Sequence, residues 1–260
     1  MTHGSLFSGI GGFDLAASRV GWSNVFQCEK DEYCLRVLRR HFPNVELYED
    51  IKETDFTRWA GRVDVISGGF PCQPFSSAGR RKGTSDDRYL WPEMFRAIRE
   101  AKPRWVVAEN VYGLITYENG MVLEQVLADL GSAGYEAAPP LIIPAAGANS
   151  FQRRKRIWIV ANAGGLGMAA DEVQREIAPE ACRKAFEQRL QHQGDEDNWI
   201  GTLTRAAAVA GSVYGVPHWV DRVRGLGNAV DPRIAYKIFQ CITKTEEFYG
   251  KGAKDTEKVQ

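Results

Sequence analysis

Three kinds of residue in this chain stand in surroundings that suit chemistry: a cysteine in a turn, a carboxylate at a strand end, and arginines nearby. Cys72 sits in Gly68-Gly69-Phe70-Pro71-Cys72-Gln73-Pro74-Phe75-Ser76, directly after the apolar run 63–67. A turn in that place presents a thiol at the edge of a sheet, and the reactive form of a thiol is its thiolate. Arg80, Arg81, Lys82 and Arg88 follow. Their charge suits either lowering a thiol's pKa or gripping a phosphate backbone. The segment is long and rich in Gly, Ser and Arg, as a loop that closes over a substrate would be. Read alone, it also suits a buried thiol beside a proline turn.

A second constellation lies near the N-terminus. Leu6-Phe7-Ser8-Gly9-Ile10-Gly11-Gly12-Phe13-Asp14 carries three glycines where a strand should give way to a helix. Such a turn lets a ligand approach backbone amides at the carboxyl edge of a sheet. Glu29 ends the next strand candidate, at the spacing where an acidic side chain holds ribose hydroxyls. Asp50-Ile51 follows the third, placed for an adenine amino group and ring face. The spacing is G-x-G-G and no Walker lysine is present, so an adenosine-bearing ligand without pyrophosphate fits better than a dinucleotide. Each residue on its own serves equally as part of a tight turn or as a solvated strand-end acid.

These groups need a scaffold. Through residue 161, short β-branched runs alternate with helical periodicity, the pattern of a largely parallel sheet with crossover helices. Seven strands are expected, near 5–8, 24–29, 45–48, 63–67, 104–109, 135–143 and 156–161. Met121, Val122, Leu123, Val126, Leu127 and Leu130 recur at three- and four-residue steps, giving a helix with one buried face. Pro92 should open another. Asp231 and Pro232 supply a cap and first-turn proline to a last helix, with Ile234, Ile238, Phe239 and Ile242 as its apolar stripe. That stripe must cover the sheet. The chain is therefore read as a domain of 1–161 plus 222–249, a small lobe of 162–221 inserted in it, and a frayed tail of 250–260.

Composition sets outer bounds. The 260 residues suit one large domain with a small appendage, and 44% apolar with 25% charged residues excludes wholesale disorder. Lys plus Arg equals Asp plus Glu at 33 each, so a polyanionic partner must be met locally. No apolar run is long enough to span a membrane and no secretory signal opens the chain, which predicts a cytoplasmic protein. Cys28, Cys34, Cys72, Cys182 and Cys241 are scattered and odd in number, which suits neither a disulfide framework nor a zinc site. Most are expected to be buried thiols.

Taken in order, these motifs resemble the DNA cytosine-5 methyltransferases of bacterial and phage type. Residues 6–13 are similar to that family's cofactor motif, Gly69-Phe70-Pro71-Cys72-Gln73 to its nucleophile loop, and Glu109-Asn110-Val111 to its catalytic acid motif. Gln152-Arg153-Arg154-Lys155-Arg156 matches Q-x-R-x-R, and Leu226-Gly227-Asn228-Ala229-Val230 the late G-N-x-V. The resemblance implies a Rossmann-like α/β methyltransferase fold, with a seven-stranded, mostly parallel sheet and a small target-recognition lobe. It implies that Cys72 adds to C6 of a flipped cytosine, that Glu109 contacts the N3 edge, that Arg156 contacts O2 and that Arg154 orders the loop. S-adenosylmethionine is the implied methyl donor, held by Phe7, Gly9, Ile10, Gly11, Gly12, Glu29, Asp50, Ile51, Pro71, Leu90 and Asn228. Gln73, Ser76, Arg80, Arg81, Lys82, Arg88, Gln152 and Arg153 would face DNA. The implied partners are double-stranded DNA and a cognate restriction endonuclease, or a phage genome to protect; no metal is needed, and a monomer is expected. An RNA cytosine as substrate, or a noncatalytic cofactor- or DNA-binding module, are the alternatives at this stage.

The match thins after residue 157. Only 157–226 is available for reading a target, and 171–197 is acidic, a poor composition for gripping phosphates. Trp199, Thr202, Thr204 and Arg205 are the candidates for groove contacts. The family's Gly-Val-Pro before Q-x-R-x-R is replaced by Gly147-Ala148-Asn149-Ser150-Phe151. No base specificity follows.

Overall fold

A computed structural model describes residues 1–71, 89–144, 155–164 and 229–256. The sheet is built from β1 (Thr2–Leu6), β2 (Ser23–Cys28), β3 (Glu46–Tyr48), β4 (Val65–Gly68), β5 (Trp105–Val111), β6 (Glu136–Ala137), β7 (Leu141–Pro144) and β8 (Lys155–Asn162). The helices are α1 (Gly12–Arg19), α2 (Glu32–His41), α3 (Trp91–Ala101), α4 (Met121–Ser132) and α5 (Pro232–Thr256). The strand order is β3-β2-β1-β4-β5-β8-β6, with β7 paired to β8. Strands β1 to β5 are mutually parallel, while β8 runs antiparallel to β5, β6 and β7. Consequently the carboxyl ends of β1, β2, β4 and β5 share an edge with the start of β8.

Burial on both faces explains why 105–108 of β5 and 157–161 of β8 are apolar without alternation. Val106 and Ala108 of β5, with Ile157 and Ile159 of β8, pack in one core with Met94 and Ile98 of α3 and Val126 and Leu130 of α4. Trp105, Val107, Trp158 and Val160 pack in the other, with Phe13 of α1 and Ile238 and Phe239 of α5. The expected strand over 135–143 is two short ones, β6 and β7. Pro139-Pro140 lies between them and offers no amide hydrogen to a ladder.

The last helix covers the sheet as its stripe requires. Ile238, Phe239 and Ile242 are fully buried, each worth about 1.5–3 kcal/mol of apolar transfer. Trp22 stacks on Phe239 at 4.5 Å and donates to Thr243 Oγ1 at 3.1 Å, while Trp105 Nε1 donates to Glu246 Oε1 at 2.7 Å. Asp231 Oδ1 accepts from the Arg233 amide at 3.0 Å, the expected cap. α5 runs to Thr256, and residues 257–260 lie outside the described residues. The bulk of the expected lobe, residues 165–221, lies outside the described residues.

Beneath the first turn is a buried polar layer. His3 Nδ1 lies 2.7 Å from Asn24 Oδ1 and its Nε2 2.7 Å from Ser67 Oγ, and burial lowers its pKa to about 4. Ser5 Oγ reaches both Asp14 carboxylate oxygens at 3.0 Å, and burial raises the Asp14 carboxyl to about 6. The signs oppose. Asp14, with its pKa raised, contributes stability at low pH that is lost as pH rises from 3.8 through about 6. His3, with its pKa lowered, contributes stability above 6.5 that is lost as pH falls through about 4. Asp14→Asn should therefore gain on the wild type progressively between pH 4 and 6, by up to about 3 kcal/mol less part of a hydrogen bond. Urea unfolding at pH 4, 5, 6 and 7.5 checks this; a pH-independent difference would mean that Asp14 does not titrate in that window.

Candidate active site

The shared edge gathers the turn, the carboxylates and the lead-in to the cysteine. After β1 the chain turns through Phe7 (φ 53°), Gly9 (φ 56°) and Gly11 (φ 86°) into α1. Gly11 donates to the Ser8 carbonyl at 2.9 Å, and Ser8 to that of Cys28 at 3.1 Å. A Cβ on Gly9 would meet no atom within 4 Å, so the turn borders open space. One on Gly12 would come 2.6 Å from the Val230 carbonyl, which places the late Ala229-Val230 segment directly against the turn.

Glu29 is built into this turn. Its Oε2 accepts from the Gly9 amide at 2.7 Å and its Oε1 from the Lys30 and Asp31 amides at 2.8 Å each, which leaves a further lone-pair site on Oε2. Asp50 lies beside it. Lys30 Nζ at 2.5 Å, then the Lys52 amide at 2.9 Å, hold the Asp50 carboxyl below the usual carboxylate range. Ile51 is buried (5% exposed), packed among the core residues below this edge. Phe7, Ile10, Pro71 and Leu90 are half-buried near strand and helix ends.

The strand that carries Glu109 meets the lead-in to Cys72 here. Glu109 is 7% exposed at the end of β5, and Arg156 Nε lies 2.8 Å from its Oε1. This ion pair follows from register, since Val111 faces Arg156 and Glu109 faces Trp158 across the β5 and β8 ladder. A Cβ on Gly69 would approach Glu109 Oε2 to 3.3 Å, so the carboxylate rests over the backbone leading to Cys72. Asn110, which is buried, donates from Nδ2 to the Phe70 carbonyl at 3.0 Å and accepts from the Val111 amide at 2.8 Å. It anchors the segment two residues before the thiol. Its role was not read from the sequence, although its place after Glu109 was the available signal.

Cys72, Arg154 and Asn228 lie outside the described residues, as do Gln73, Ser76, Arg80, Arg81, Lys82, Arg88, Gln152 and Arg153, together with Cys182, Trp199, Thr202, Thr204 and Arg205. Cys28, Cys34 and Cys241 are buried free thiols. Cys28 ends β2 at the same edge, yet burial, reinforced by Glu29 and Asp50, pushes its thiol up to about 12. It is inert at neutral pH.

Known proteins supply the remaining context. The family profile of C-5 cytosine-specific DNA methylase matches residues 1–206. The chain belongs to this family. Among curated methylases, the Type II methyltransferase M.PspPI of Psychrobacter sp. is 41% identical over 157 residues, covering 60% of this chain and 38% of that protein. M.AquIA of Picosynechococcus sp. is 37% identical over 241 residues, covering 86% and 97%. The chain thus spans about two fifths of M.PspPI and of M.Eco47II from Escherichia coli, but nearly all of M.AquIA. Among solved structures, S. pombe Dnmt2 methyltransferase superposes with a TM-score of 0.61 at 13% identity, over 95% of this chain and 98% of that chain. A protein encoded within an E. coli prophage gives 0.54 at 24%, over 64% and 48%. At these identities the likeness carries the fold alone.

Proposed function

We propose that the chain methylates C5 of cytosine in duplex DNA, with Cys72 as nucleophile and S-adenosylmethionine as donor. The observation carrying this is the convergence at one sheet edge of the Glu109–Arg156 pair, the Asn110-anchored lead-in to Cys72, and the open glycine turn. The turn fits an adenosyl ligand: a Cβ on Gly9 has room, while Glu29 and Asp50 offer acceptors beside it. Bound there, S-adenosylmethionine supplies an electrophilic methyl group and leaves as S-adenosylhomocysteine.

The chain's residues prepare the acceptor. C5 of cytosine is a poor nucleophile, so the Cys72 thiolate first bonds to C6 and makes C5 enamine-like. Glu109 faces the N3 and amino edge and Arg156 faces O2, stabilising the electron density moved onto the ring. After C5 takes the methyl group, a base removes its proton. The freed electron pair restores the C5–C6 double bond and expels the thiolate. A stacked base is out of reach, so the cytosine must be flipped out at a cost of a few kcal/mol. Lys155, exposed one residue before Arg156 with its Nζ 5.7 Å from the Tyr112 ring centroid, adds a cation at this rim that suits a phosphate-bearing partner.

Bisulfite sequencing of DNA from cells expressing the chain tests the reading: methylcytosine in a fixed context is expected. Tritium transfer to matched DNA and RNA duplexes separates the substrates, and preference for RNA would displace DNA. Asp50→Ala should weaken S-adenosylmethionine binding about tenfold, near 1.4 kcal/mol, in calorimetry; unchanged affinity would remove Asp50 from the site.

A further inference from the structure

The loop that carries Asp50 and Ile51 has no regular structure between the end of β3 and a single 3-10 turn at Thr57–Trp59. Ordering such backbone costs conformational entropy, so a ligand that had to order it would bind more weakly. One side chain from a different layer removes that cost. Arg96, in the middle of α3, donates from Nη2 to the Ile51 carbonyl and from Nη1 to the Thr54 carbonyl at 3.1 Å. Its guanidinium is fixed from behind by Glu100, at 2.8 and 2.9 Å, and by Glu93 at 3.0 Å. Glu100 Oε2 also accepts from the Phe56 amide at 3.0 Å. Inside the loop, Thr54 Oγ1 donates to the Asp50 carbonyl at 2.7 Å. Of the residues held, Phe56 is fully buried and Ile51 nearly so, while Arg96, Glu93 and Glu100 are partly exposed.

We propose that Arg96 is a positioning residue for the cofactor, holding the Asp50–Ile51 loop in the shape that receives the adenosyl group. This rests on the function proposed above. The role needs a planar fork with several donors in fixed directions, which lysine cannot reproduce despite equal charge. Among the described residues, the hydrogen bonds of Arg96 go to Ile51, Thr54, Glu93 and Glu100 and not to Glu109 or Arg156, so its loss should fall on cofactor affinity and spare the chemical step.

The test compares the full chain with Arg96→Lys. Expected are a dissociation constant for S-adenosylmethionine raised at least tenfold, kcat at saturating cofactor within twofold of the unmodified chain, and an unchanged KM for DNA. A merely structural role would lower kcat and raise both KM values together, and that pattern would overturn the proposal. So would an unchanged dissociation constant. If Arg96→Lys does not fold, Glu100→Gln carries the test, because it keeps an oxygen for the Phe56 amide while loosening the guanidinium. A threefold or greater rise in the dissociation constant, with kcat preserved, is then expected, and no rise overturns the proposal. Failure of the unmodified chain to bind S-adenosylmethionine would overturn the underlying reading, and this inference with it. Normal binding by the unmodified chain with unchanged binding by the variant removes the Arg96 role alone.

Discussion

Cys72→Ser should lower methyl transfer by roughly four orders of magnitude or more while the dissociation constant for S-adenosylmethionine changes less than threefold. The oxygen is smaller and far less acidic than sulfur, so at neutral pH almost no serine alkoxide is available to add to C6. The proposed cofactor side of the edge rests on the β1 turn, Glu29 and the Asp50 loop, whose hydrogen bonds among the described residues run to Gly9 and Lys30. Single-turnover tritium transfer and calorimetry on the same preparation separate the two quantities. Measurable turnover near the wild-type rate would refute covalent catalysis by this residue. Parallel loss of cofactor binding would mean that the cysteine loop has a structural part in the pocket.

Glu109→Gln is expected to cost a factor of about 10²–10⁴ in kcat with little change in KM for DNA. The amide keeps the shape that rests over Gly69, so the lead-in to Cys72 and the fold should survive. What is lost is the charge facing Arg156 at 2.8 Å and the capacity to share a proton with the base. Arg156 is itself mostly buried, with about a fifth of its side chain exposed, so weakening its ion pair with Glu109 should also cost stability. Thermal unfolding of the variant measures that second effect and keeps it apart from the catalytic one. Turnover within threefold of the wild type would remove Glu109 from the chemistry.

Much of the scaffold was legible because burial on both faces imposes its own pattern. Residues 65–66 of β4, 105–108 of β5 and 157–161 of β8 are apolar throughout, and the stripe of α5 required a sheet to cover. The glycine turn was legible for a steric reason: Gly9 and Gly11 adopt positive φ, and Gly12 has Val230 against it. Phe7, at φ 53°, was not, since its side chain gives no hint of that backbone. The split of β6 from β7 was written in Pro139-Pro140 but outweighed by the apolar residues on either side. Asn110 and Arg96 escaped for a different reason. Each acts on backbone carbonyls 40 or more residues away, and a carbonyl leaves no mark on the residue type that carries it.

The most direct measurement is a mechanism trap. A duplex carrying 5-fluorocytosine in the methylated context, incubated with the chain and S-adenosylmethionine, should yield a covalent adduct that peptide mapping places on Cys72, because fluorine at C5 cannot leave as the proton does. The absence of any adduct under conditions where ordinary cytosine is methylated, or an adduct on another residue, would contradict the account.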